Sequence, residues 1–145
     1  MRMTFVIAGI ASVLSATVAS LSAHHAFAAE FDANKRQQLR GTVTKVEWTN
    51  PHVWIHIDVK KPDGTVENWA VEGGGPTSLF RRGFNTTSLA VGTEIVVDGF
   101  QSRDGGKRMN GREVKFPDGR TLFLGTPGTG APPEIDPDVQ KKPKL

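Results

Sequence analysis

The 145-residue chain contains no cysteine and no tyrosine. Without cysteine there can be no disulfide staple, thiolate nucleophile, thiolate metal site or lipid-attachment thiol, so the fold rests on its apolar core alone. Strong charge of one sign is missing as well, with 18 Lys and Arg against 15 Asp and Glu and a formal net charge of +3. Such a balance, with no clustered basic stripe, excludes a nucleic-acid binder. Catalytic signatures are also absent: there is no G-x-S-x-G elbow, no phosphate-cradling glycine loop with its lysine and no helical H-E-x-x-H. Gly73-Gly74-Gly75 lacks those partners and reads as a linker. Glu47, Asp58 and Glu72 are acids scattered over predicted strands. The expectation is a protein that is not an enzyme.

Residues 1–23 have the layout of a secretory signal peptide. Arg2 supplies a short positive start, Val6 to Leu21 is apolar and small, and Ala23 closes the segment. An uncleaved anchor needs about 20 predominantly apolar residues. Here the run is shorter and is diluted by Ser12, Ser15, Thr17 and Ser20. Two cut sites compete. One follows Ala23 with Leu21 at minus three; the other follows Ala28 with Ala26 at minus three and fits the small-x-small rule better. The expected product is periplasmic or secreted, with no stable membrane anchor after cleavage, and loss of Arg2 lowers its net charge by one from +3.

Beyond the leader, residues 24–36 read as an N-terminal extension, 37–124 as one β domain, and 125–145 as a disordered tail of proline, glycine and charge. Val53, Ile55, Ile57 and Val59 alternate with Trp54, His56, Asp58 and Lys60, the period of two of a strand with one buried face. Pro62-Asp63-Gly64-Thr65 is turn chemistry leading to a partner strand with Val66, Trp69 and Val71, so 53–72 form a hairpin. Upstream, Leu39, Gly41 and Val43 share one parity and Val46 and Trp48 the other, a change that a bulge or strong bend produces. Pro76 to Phe84 reads as a short helix with Leu79, Phe80 and Phe84 along one side and Gly83 as its stop. Strands follow near Thr93–Gly99, Asn110–Phe116 and Thr121–Leu124, the last two joined by a turn at Pro117-Asp118-Gly119-Arg120. Three strands, a helix and two or three strands give the fold class: mostly β, a small OB-fold-like barrel of five to six strands with one short helix between strands 3 and 4. A plain β-sandwich is the rival.

Ligands of OB-folds meet the strand 2–3 face and the loop between strands 1 and 2. Here those positions carry Asn50, His52, Trp54 and His56. Trp48 and Trp69 read as core, and Trp54 as a cover for the outer face, paired across the hairpin with another large side chain. His52 after Asn50-Pro51 also suits a turn in which the imidazole satisfies a backbone group.

Taken together, Ala23-His24-His25-Ala26-Phe27-Ala28-Ala29-Glu30-Phe31-Asp32, Gly41-Thr42-Val43-Thr44-Lys45-Val46-Glu47-Trp48, Asn50-Pro51-His52 and Asn68-Trp69-Ala70-Val71-Glu72 resemble an uncharacterised family of small exported bacterial proteins, a domain of unknown function. The likeness runs from about Ala23 to Leu124. The chain carries Ala26 where the family commonly shows serine, so no hydroxyl role is carried over. The resemblance implies an exported, mostly β protein whose histidine pair belongs to the mature product, which favours cleavage after Ala23. No activity comes with it.

Four histidines are the metal-competent residues: His24, His25, His52 and His56. On a strand, His52 and His56 stand about 13 Å apart at roughly 3.3 Å per residue. That is too far for one ion bound at roughly 2 Å. The better cluster is His24 with its freed α-amine and His25, closed by His52 or His56, with Glu30 and Asp32 as possible oxygen donors. Nitrogen donors without thiolate suit Cu(II) first and Zn less well. The function expected is therefore an exported binding module with a transition metal as its most testable ligand. The alternatives are a metal-independent module for an exported protein, a peptide or a saccharide, and a frayed, solvated histidine pair; a copper-dependent enzyme is a distant third.

Overall fold

The computed structural model describes residues 26–125 and residue 129. The leader, His24, His25 and nearly all of the expected tail lie outside the described residues. Six strands form one sheet: β1 (Phe31–Glu47), β2 (Trp54–Lys60), β3 (Val66–Glu72), β4 (Glu94–Ser102), β5 (Arg108–Lys115) and β6 (Thr121–Phe123). A short helix, Pro76–Arg81, lies between β3 and β4.

Strand order across the sheet is β3-β2-β1-β4-β5-β6, and β3 pairs in addition with β5. That last pairing is parallel, joins Ala70 to Arg108 and Glu72 to Asn110, and closes five strands into a ring. The ring and the helix after its third strand make the architecture OB-fold-like, as the sequence leads one to expect. β1 serves both halves of the ring, pairing with β4 along its first part and with β2 along its last. Between Val43 and Lys45 its register against β2 slips by one residue. This is the parity change legible at Val43 and Val46, and it lets one strand bend around the ring. β1 also starts at Phe31, within the stretch read as an extension.

Alternation along β2 sends Ile55, Ile57 and Val59 inward, where they meet Val43, Trp69, Val71, Ile95, Val97, Met109 and Val114. The helix adds Leu79 to this core, and Phe84 and Leu89 follow from the connection behind it. Gly83 ends the helix with φ +97, a conformation that side chains with a Cβ resist. Phe80 departs from its expected place. Residues on a helix diverge by 100° per step, so burying Leu79 turns Phe80 outward, where it stacks on Trp48 with centroids 5.2 Å apart. Trp69 is core as expected, and Trp48 packs half-buried against the core's edge.

Candidate functional site

Because β2 buries its odd-numbered residues, its outward row is Trp54, His56 and Asp58, with His52 continuing the line before the strand begins. Trp54 lies opposite Glu72 of β3 on one side and Glu47 of β1 on the other, so its lateral neighbours are two acids rather than a large apolar side chain. The two histidines flanking it along the strand each reach one of those acids. His52 Nδ1 lies 3.2 Å from Glu72 Oε1, and His56 Nε2 lies 3.2 Å from Glu47 Oε1.

The backbone fixes the His52 ring further. Val53 N donates to Gly74 O and Gly73 N donates to Val53 O, which extends the β2–β3 ladder past Trp54. This brings His52 Nδ1 to 3.0 Å from Gly73 O. A carbonyl oxygen only accepts, so in the neutral ring Nδ1 carries the hydrogen and Nε2 keeps its lone pair. Thr49 Oγ1 donates to His52 O at 3.1 Å and ties down the preceding loop.

Glu72 is only 7% exposed. Burial pushes its carboxyl above the ordinary value, with the nearby Glu30 charge adding to the rise, while His52, an Asn110 hydrogen bond and Arg108 oppose it. Asn110 comes from β5 through the parallel pairing, is buried, and its Oδ1 accepts no hydrogen bond among the described residues. Such a buried, unpaired acceptor is costly unless something else supplies a donor. On the other flank, Glu47 is held below the usual carboxylate range, chiefly by Lys45 at 2.5 Å and to a lesser degree by His56.

The predicted residues are thus divided rather than pooled. His52 and His56 occupy the same face but bind different acids, and Asn50 is exposed in the loop ahead of them. Among the described residues no group of three or more His, Asp or Glu side chains is placed to hold a metal ion. Sequence reasoning missed Glu47, Glu72, Asn110 and Arg108 as members of this face, and named Glu30 only as an oxygen donor for the N-terminal histidine cluster. The available signal was parity: Glu72 sits outward in the Trp69 and Val71 alternation, opposite the row that carries the histidines.

A five-stranded ring with a histidine–carboxylate face defines a small β domain with a polar patch on strands 2, 3 and 5. Residues 11–111 match DUF6152, a family of unknown function, and the chain belongs to that family. No curated protein matches the chain.

Proposed function

We propose that this chain is an exported binding module that holds one transition-metal ion, Cu(II) ahead of Zn, between His52 Nε2 and nitrogen donors of His24 and His25. The observation that carries the reading is the fixed His52 ring, whose Nδ1–H is engaged by Gly73 O and Glu72, leaving Nε2 as the ligating atom. A carboxylate behind a ligating imidazole sets its tautomer and raises its basicity. The leader supports export, and its removal after Ala23 frees an α-amine at His24 beside the imidazole. From Ala28 back to His24 the chain spans at most about 14 Å. Five and six residues after His25 and His24, the Glu30 carboxylate pairs with Arg108, which lies opposite Ala70, two residues along β3 from Glu72.

The test is N-terminal sequencing of the exported protein followed by Cu(II) titration. The reading requires a start at His24 and about one tightly held ion per chain, lost on joint substitution His24→Ala and His25→Ala. A start at His24 without tight copper refutes it.

A second reading has one observation in its favour: Trp54 stands between Glu47 and Glu72. An indole flanked by acids suits metal-independent recognition of a hydroxylated ligand such as a saccharide over Asn50, His52, Trp54 and His56. Tryptophan emission that responds to such a ligand with chelator present separates this reading from the first.

A further inference from the structure

A groove of about 520 Å³ lies on the outer surface of β1, β4 and β5, and none of the residues that line it belongs to the histidine–carboxylate face. A cavity of that size falls in the range that holds small organic ligands. Strand register lays its floor out in two rows. Arg40 of β1, Val96 of β4 and Lys115 of β5 stand side by side, and the neighbouring row is Gln38, Asp98 and Glu113. The first row thus sets two cations on either side of a half-buried valine, and the second brings two acids together. Part of this charge is already engaged. Arg36 donates to both carboxylate oxygens of Asp98, at 2.8 and 3.1 Å, and Arg40 pairs with Glu94 at 2.5 Å. Glu113 and Lys115 are not engaged: neither side chain takes a hydrogen bond or ion pair among the described residues, and Arg36 reaches Glu113 only through its field. Spacing is not the obstacle, because Lys45 and Glu47, also two residues apart on one strand, meet at 2.5 Å. The groove therefore presents one open carboxylate and one open ammonium.

We propose that this groove binds a small zwitterion of dipeptide length, its ammonium on Glu113 and its carboxylate on Lys115, with Arg40 as a second cation on the carboxylate side. Sign and length carry the ligand class. Arg40 and Lys115 line the groove with Glu94, Asp98 and Glu113, and the Arg36 guanidinium on Asp98 brings the two signs level. A ligand with several charges of one sign meets repulsion there, whereas one charge of each sign is complementary. Glu113 and Lys115 share one face of β5 and stand about 6.7 Å apart along it. Two residues of extended peptide run about 7 Å, so the termini of a dipeptide match that separation. A free amino acid carries both groups on one carbon and falls short of it. Val96, between the two cations, offers apolar contact to a small side chain. The inference uses none of the residues of the metal reading, so either can fail without the other.

The experiment is calorimetric titration of the exported protein at low salt, with chelator present so that no metal contributes. The probes are L-alanyl-L-alanine, its N-acetylated and its C-amidated forms, and free alanine. Expected is saturable binding of the free dipeptide at about 1 mM or tighter. Blocking either end, or substituting Lys115→Gln or Glu113→Gln, should weaken it about tenfold. The losses should also cross. The amidated peptide, which has no carboxylate, should be indifferent to Lys115→Gln and still sensitive to Glu113→Gln, and the acetylated peptide the reverse. A general structural defect would weaken every probe alike, and the blocked peptides make the same test on the unsubstituted protein. No saturable binding of the free dipeptide overturns the proposal. So does equal affinity for the doubly charged and blocked peptides, equal affinity for free alanine, or a loss in the variants that ignores which end is blocked.

Discussion

Replacing His52 by alanine removes the imidazole that faces the buried Glu72 carboxylate. Lost with it are the Nδ1–H contacts to Gly73 O at 3.0 Å and to Glu72 Oε1 at 3.2 Å. Glu72 then keeps the Asn110 amide as its hydrogen-bond donor, in a site only 7% exposed. Leaving a buried acceptor short of a partner costs about 1–3 kcal/mol, with the upper end for charged groups. A loss near 2 kcal/mol lowers the melting temperature of a domain this size by roughly 8–16 °C.

The sign of the pH dependence follows from Glu72. Its folded-state pKa is raised above 4.5, first by burial, so between that value and its folded pKa the native state binds more protons than the unfolded chain. Stability contributed by this group therefore falls as pH rises through that window. His52 opposes the rise, so His52→Ala widens the window and deepens the fall. Urea unfolding followed by tryptophan emission at pH 4 and pH 8 reads both effects, and the Glu72→Gln background isolates the pair in a double-mutant cycle. The deficit should be larger at pH 8, with a coupling of about 1 kcal/mol or more between the two positions. Equal deficits at both pH values, or additive substitutions, refute the coupling.

Gly99→Ala should cost about 3 kcal/mol, read as an earlier urea midpoint, because an added Cβ would sit 2.3 Å from Asn110 O and 3.0 Å from Gly111 Cα at the register slip between β4 and β5. An unchanged midpoint would mean that this crossing is looser than the geometry states. Asp63, Asp104 and Asp118 are each held below the ordinary 3.8 by donors of their own turns, chiefly the Thr65 hydroxyl, the Ser102 hydroxyl and the Arg120 N–H. Their contribution is present above pH 3.8 and is lost as pH falls through their folded values, so the gap between wild type and a triple Asp→Asn variant should narrow on acidification. A gap that stays constant down to pH 2 refutes that assignment.

Much of the ring was legible from local pattern. Period-two alternation from Val53 to Val59, the Pro62 to Thr65 turn and the parity change after Val43 are local features, and each maps onto β2, the hairpin and the bulge. The short helix was legible from Pro76 and Gly83, but its inner face was not fully so. Leu79 and Phe80 are adjacent, and only the core could decide which of them is buried. The face around Trp54 was half visible. His52 and His56 declared themselves by residue type, whereas their acids depend on strand register. Asn110 and Arg108 depend on the parallel β3–β5 closure, which joins segments nearly forty positions apart. The contact between Glu30 and Arg108 spans 78 positions, a separation at which spacing and periodicity carry no signal.

The measurement that bears most directly on the account is the nitrogen count around Cu(II) in the exported protein, taken by electron paramagnetic resonance on the unsubstituted chain and on His52→Ala. The account predicts one ion per chain, with one imidazole donor fewer in the variant and a weakened affinity. Identical spectra and identical affinities in the two proteins would remove His52 from the site and contradict the central claim.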